Sequence, residues 1–123
     1  QVPMKLILDN TDPELVFFEM DIYWTTAGGA NPIEYLKSYP NRYLCIHLKD
    51  MSKLVYFSKD GGNPQQWIEL FPFMTNVGNG ILDIKQIVYE AKKNGVKHFF
   101  VEQDMVENPK IALQASLDFL KNI

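Results

Sequence analysis

A short apolar, aromatic-rich run followed by a stretch with helical spacing occurs three times in this chain, and that alternation constrains the fold more than any other feature. The first run is Val16–Tyr23, and Pro32 then opens a helix, Pro32–Ser38, at the first-turn position where its missing N–H costs nothing. The second run is Tyr43–Leu48. A long irregular stretch, Lys53–Gly80, follows it, with the turn sequence Asp60-Gly61-Gly62-Asn63-Pro64 and aromatic residues around Trp67, Phe71 and Phe73. Ile84–Asn94 reads as a helix, with Ile84, Ile87, Val88 and Ala91 at apolar spacing and Asn94-Gly95 as its stop. Val96–Val101 is the third run. Pro109–Lys121 is the closing helix, with Ile111, Ala115, Leu117 and Leu120 as its expected buried stripe. Met4–Asn10 reads as the tail of an earlier helix, broken at Thr11-Asp12-Pro13. Strands that alternate with helices predict a parallel α/β sheet, because a crossover helix is the usual way to return the chain in the same direction.

Composition narrows the function classes. With 123 residues, 46% hydrophobic and 22% charged, the chain belongs with globular sequences and has room for one domain or less. A net charge of −3 provides no basic stripe for a phosphate backbone, which argues against a nucleic-acid partner and leaves small polar ligands open. No run reaches the roughly 18 apolar residues of a membrane span, so no membrane partner is expected. The start, QVPMKLILDN, lacks both a signal-peptide pattern and an initiator Met, and is expected to be a cut end. The lone cysteine, Cys45, has no intrachain partner for a disulfide. That suits a cytoplasmic location and leaves secreted or periplasmic ones open.

Side chains on a strand alternate faces, so parity sorts each run. Phe17, Glu19, Asp21 and Tyr23 share one face of the first, opposite Phe18, Met20 and Ile22. Tyr43, Cys45, His47 and Lys49 oppose Leu44, Ile46 and Leu48 on the second, and His98, Phe100, Glu102 and Asp104 oppose Phe99, Val101 and Gln103 on the third. One face is thus suited to lie under helices, and the other gathers ionisable groups toward the C-terminal end. An ionised carboxylate removed from water is costly unless something pairs with it. Alone, Asp21 would usually be a satisfied acceptor and His47 a core histidine. At matching depth on three adjacent strands, Asp21, His47 and Glu102 point instead to a metal site, since Lys49 is the only inward cation available to neutralise them.

The segments FEMDIYW (Phe18–Trp24), CIHLKD (Cys45–Asp50) and FFVEQD (Phe99–Asp104) resemble the xylose isomerase-like family of TIM barrels, which includes sugar phosphate isomerase/epimerases and ketose 3-epimerases. The resemblance runs from about Lys5 to the end, and the ordered set of motifs is far more specific than any one of them. It implies one divalent ion at the C-terminal mouth of the barrel, held by Glu, Asp, His and Glu from strands five to eight. Asp21, His47 and Glu102 match the last three ligands. The first glutamate has no counterpart, since Asp9, Asp12 and Glu14 lie in a turn context ahead of the first strand. Three oxygen ligands and one nitrogen suit Mn²⁺, Mg²⁺, Co²⁺ or Zn²⁺, with a lean toward Mn²⁺. A (β/α)8 barrel takes about 250 residues. Residues 1–123 are therefore expected to be the C-terminal three βα units of one such domain, a partial barrel. Its inward face, with Glu19 and His98, would be covered by the N-terminal barrel half or by self-association.

The implied activity is sugar or sugar phosphate isomerisation or epimerisation, by proton abstraction next to a carbonyl through an enediolate. Glu102 would be one of an acid–base pair while also touching the ion, and without its partner glutamate this piece alone is expected to be inactive. Trp24 stands where related epimerases often carry a histidine, and Lys53 where they carry an arginine toward the substrate. With Lys49 these are the expected substrate-binding residues, although Trp24 reads equally well as a rim aromatic and a solvated loop lysine is the safer default for Lys53. Gly78-Asn79-Gly80 resembles the family's glycine turn and reads better as a turn than as a phosphate cradle. A 3-keto-sugar lyase on the same barrel and a small non-catalytic α/β sugar-binding module are the alternatives. An apurinic endonuclease is disfavoured, because its three zinc ions need more histidines than the two present here.

Overall fold

The computed structural model describes residues 2–123. In chain order the elements are α1 (Pro3–Asp9), β1 (Phe18–Asp21), α2 (Ile22–Ala27), α3 (Pro32–Ser38), β2 (Tyr43–Leu48), β3 (Asp50–Met51), α4 (Pro64–Ile68), a 3-10 turn (Phe71–Phe73), β4 (Met74–Thr75), α5 (Ile84–Lys93), β5 (His98–Val101) and α6 (Pro109–Leu120). An Asn-Pro pair starts three of the helices. Asn31, Asn63 and Asn108 each accept a backbone N–H of the first turn, and Pro32, Pro64 and Pro109 occupy the position where no N–H is needed.

Strands β1, β2 and β5 form the predicted parallel sheet in the order β1-β2-β5. Met20, Ile46 and Leu48 are buried on one side of it against Leu36 of α3 and Ile84, Ile87, Val88 and Ala91 of α5. On the other side Phe17, Glu19, His98 and Phe100 are exposed, the two phenylalanines at 51% and 49%. Arg42 fastens α1 to the start of β2, donating to the Leu8 carbonyl at 2.7 Å and to Thr11 Oγ1 at 2.6 Å. No helix among the described residues is long and apolar enough to cross a membrane.

The structure departs from the sequence reading in four places. The first strand ends at Asp21 rather than Tyr23, because Asp21 caps a helix that the aromatic, β-branched run concealed, so Tyr23 turns into the core instead of lining the polar face. Tyr43 also leaves that face. The β1–β2 register skips Leu44, pairing Phe18 with Tyr43 but Glu19 with Cys45, and the irregularity puts Tyr43 in the helix-side core beside Phe18. On α6 the buried positions are Ala112 and Ser116, with Phe119 and Leu120 packed behind them, while Ile111, Ala115 and Leu117 are exposed. Ser116 is buried because it works as a tie, accepting the Val77 N–H at 3.0 Å and donating to the Ala112 carbonyl at 3.0 Å. Finally, the stretch read as irregular holds α4, the 3-10 turn and β4, which pairs antiparallel with β3 just ahead of that stretch.

Beside the sheet's C-terminal end, Asp50 is fully buried and its carboxylate accepts four backbone N–H groups, those of Met51 (2.8 Å), Gly78 (2.9 Å), Gly80 (3.0 Å) and Leu82 (3.2 Å). The Gly78-Asn79-Gly80 turn is therefore wrapped around the chain's own carboxylate. Glycine is required here, since a Cβ on Gly80 would stand 2.2 Å from Asp50 Oδ1 and one on Gly78, where φ is +90°, 2.2 Å from the Phe119 ring. A second core cluster, Tyr23, Ala27, Met51 and Leu70, packs beneath this loop layer, with the Tyr23 hydroxyl donating to the Leu70 carbonyl.

Two outcomes follow. Asp50→Ala strands four backbone donors around a fully buried site and should cost about 3 kcal/mol, lowering Tm by roughly 10 °C in thermal unfolding; a parent-like Tm would contradict the role given to this carboxylate. Burial, helped by the nearby Asp21 charge, pushes the Tyr23 phenol up to about 12. A phenol held above its unfolded value of about 10 contributes stability that is complete below that pH and is lost as pH rises through the folded value. Denaturant unfolding between pH 9 and 12 should therefore show a decline that is shallower in Tyr23→Phe, and equal slopes would contradict it.

Candidate metal centre

The parallel register sets the site. Asp21 lies opposite His47, and His47 opposite Phe100. Just past the end of β5, the Glu102 N–H donates to the Leu48 carbonyl at 3.2 Å; Glu102 thus lies two residues beyond the level of Asp21 and His47, not at the matching depth that strand parity suggested, and its side chain reaches back to His47 Nδ1. The ligating atoms of Asp21, His47 and Glu102 all lie within 4.8 Å of one another. The expected three residues are thus brought together at the C-terminal tips of three adjacent strands.

Each side chain is aimed by a second contact. Asp21 Oδ1 accepts the Tyr23 and Trp24 N–H groups, both at 3.0 Å, as the cap of α2, which turns Oδ2 toward the cluster. His47 Nε2 is 3.0 Å from Glu19 Oε1, so its other nitrogen, Nδ1, faces Asp21 Oδ2 at 3.6 Å and Glu102 Oε2 at 2.7 Å. A carboxylate holding the far nitrogen of an imidazole is the arrangement that orients metal-ligating histidines. Nδ1 and the Glu102 oxygen face each other at a distance that a shared cation would bridge.

Lys49 supplies part of the charge. Its side chain is 4% exposed, and its ammonium stands 3.2 Å from Asp21 Oδ2, 3.2 Å from Glu102 Oε2 and 2.8 Å from Asp104 Oδ2. Burial acts to lower its pKa, but the bonds to Asp104, Asp21 and Glu102 outweigh this and hold it above the ordinary lysine range. Burial likewise pushes the Asp21 carboxyl up, against the Trp24 N–H, Lys49 and His47, which pull it down. Four carboxylates, those of Glu19, Asp21, Glu102 and Asp104, still face one ammonium and one imidazole. Ligands that share a first-row ion at about 2.0–2.2 Å stand about 3–4 Å apart. The two carboxylates and Nδ1 therefore suit a divalent cation in donor type and unmet negative charge; Nδ1 and Asp21 Oδ2, at 3.6 Å, already have that spacing, while Nδ1 and Glu102 Oε2, at 2.7 Å, would have to part slightly to admit it.

Trp24 borders the cluster from α2. Its ring lies 5.8 Å from the Lys49 ammonium and packs with Phe57 (5.7 Å), Trp67 (4.7 Å) and Phe71 (5.8 Å). A cavity of about 480 Å³ runs along the β1 edge, with Glu19, Asp21, Trp24 and Trp67 in its lining. Lys53 is not joined to the carboxylates; it is exposed, with its ammonium 4.5 Å from the centre of the Phe73 ring. Two functional positions went unassigned in the sequence. Glu19 had the right parity, but its pairing with His47 depends on the β1–β2 register. Asp50 was read only as part of a motif, because three of its four donors come from a loop 28 to 32 residues away.

No protein-family model matches the chain, and no curated protein matches it. Two solved structures of sugar phosphate isomerase/epimerase from Parabacteroides distasonis ATCC 8503 do. One is 26% identical with a TM-score of 0.68, over 96% of this chain and 35% of that one; the other is 27% identical with a TM-score of 0.68, over 98% and 36%. This chain spans about a third of the length of the structures it matches. The likeness carried by the three motifs is therefore also one of fold, and the chain is built like part of a sugar phosphate isomerase/epimerase of the xylose isomerase-like TIM-barrel type.

Proposed function

We propose that this chain forms the metal-holding, proton-transferring side of a sugar or sugar phosphate isomerase/epimerase, working as part of a longer barrel. The observation that carries this is the convergence of Asp21 Oδ2, His47 Nδ1 and Glu102 Oε2 at a point where four carboxylates outnumber one ammonium and one imidazole. The names of the matched structures support the reaction class. Asp21, His47 and Glu102 would hold one divalent ion, and donors of two oxygens and one nitrogen admit Mn²⁺, Mg²⁺, Co²⁺ or Zn²⁺. Such an ion supplies Lewis-acid stabilisation of the negative charge that builds as a proton leaves the carbon beside a carbonyl.

The chain's own residues do the rest. Glu102 receives the proton; its side chain is 43% exposed and lies on the open face of the sheet, where a sugar can approach. Lys49 keeps the Glu102 carboxylate from swinging into solvent. Glu19 holds the His47 ring so that Nδ1 stays turned inward. Trp24 offers an aromatic wall that excludes water beside the acids and packs against the apolar face of a sugar. Lys53, on the neighbouring loop, would meet substrate only by leaving Phe73. The second proton-transferring carboxylate has no matching position in this chain, so turnover belongs to the whole barrel and not to these residues alone.

Metal analysis and titration with Mn²⁺ test the assignment. The chain should take up one ion. His47→Ala should abolish tight uptake, and Glu19→Gln should weaken it about tenfold or more by freeing the imidazole. Sugar-isomer screening of the intact parent should then show activity that His47→Ala loses; undiminished Mn²⁺ uptake by His47→Ala would overturn the site.

A further inference from the structure

We propose that Lys49 is an internal stand-in cation, a positioning residue whose ammonium holds, in the metal-free chain, the same two carboxylate oxygens that a divalent ion takes, so that metal entry displaces it toward Asp104. The inference rests on the metal-holding role proposed above for Asp21, His47 and Glu102, and concerns how that site is kept assembled and how tightly it binds.

The contacts carry it. Lys49 does not approach the outer oxygens of the site: it stands 3.2 Å from Asp21 Oδ2 and 3.2 Å from Glu102 Oε2, the two atoms that face His47 Nδ1. A lysine and a divalent ion on the same lone pairs are competitors, and two like charges a few ångströms apart repel strongly where water is scarce. The third contact lies outside the donor set. Asp104 Oδ2 is 2.8 Å away, the shortest of the three, and gives the ammonium a place to remain when its other two contacts are taken. Withdrawal to solvent is not open to a side chain that is 4% exposed and has the Trp24 ring 5.8 Å from its charge. The arrangement prevents Asp21 and Glu102 from repelling one another apart before an ion arrives, and it also weakens binding of that ion.

A structural lysine and a stand-in cation predict opposite results. Isothermal titration of the chain with Mn²⁺, together with thermal unfolding in its absence, should show that Lys49→Met lowers the metal-free Tm yet binds Mn²⁺ roughly tenfold or more tightly than the parent. Lys49→Gln, which keeps a polar group without the charge, should move affinity in the same direction and serves if Lys49→Met does not fold. Lys49→Arg, which keeps the charge, should bind no tighter than the parent. A parent that takes up no Mn²⁺ overturns both the metal-holding assignment and this inference. A parent that binds one Mn²⁺, with Lys49→Met and Lys49→Gln binding no tighter, overturns the inference alone.

Discussion

One oxygen of Asp21 belongs to the backbone and the other to the site. Oδ1 closes the first turn of α2 through two N–H groups, and that bond ends β1, turns Tyr23 into the core and leaves Oδ2 facing His47 and Lys49. The strand-to-helix junction and the first donor of the cluster are therefore a single side chain. Removing the carboxylate would loosen both together, and the site cannot drift relative to the sheet without unwinding a helix.

The chain settles its acids near the sheet's end in two physically different ways. Asp50 is fully buried and is answered entirely by neutral backbone donors, four of them, with a glycine turn folded tightly around it. Asp21 and Glu102 are partly open and are answered by charged or chargeable groups, Lys49 and His47. The first arrangement is closed and rigid, and a phosphate could use that cradle only by expelling Asp50. The second is open on the face where Phe17, His98 and Phe100 are exposed, and it holds more negative charge than its cations balance. Chemistry belongs at the second and scaffolding at the first.

Much of this was legible in the sequence because the relevant signals are local. The βα alternation, the proline starts of α3 and α6 and the strand parity of Asp21, His47 and Glu102 need only neighbouring residues, and the parallel sheet and the cluster follow from them. The misplaced elements were those in which a local signal had two meanings. Aromatic and β-branched residues carried the first strand past Asp21, although an aspartate followed by Thr25-Thr26-Ala27-Gly28 also reads as a capped short helix. Leu117 and Ile111 suggested an apolar stripe on α6, but the surface that α6 meets has room for Ala112 and a bond for Ser116. Tyr43 was misassigned by a single irregularity at Leu44. The grips of Glu19 on His47 and of the Gly78–Leu82 loop on Asp50 are long-range, and no pattern along the chain encodes them.

The central claim is that three side chains from adjacent strand tips bind one ion through two carboxylates and a single imidazole nitrogen. Electron spin echo spectroscopy of the chain loaded with Mn²⁺ reads the imidazole directly, since nitrogen coupling appears only when an imidazole is bound, and only His47 and His98 can supply it. One ion per chain, with nitrogen coupling that survives His98→Ala and vanishes in His47→Ala, is the expected result. An ion surrounded by oxygen alone, or coupling that persists without His47, would contradict the account.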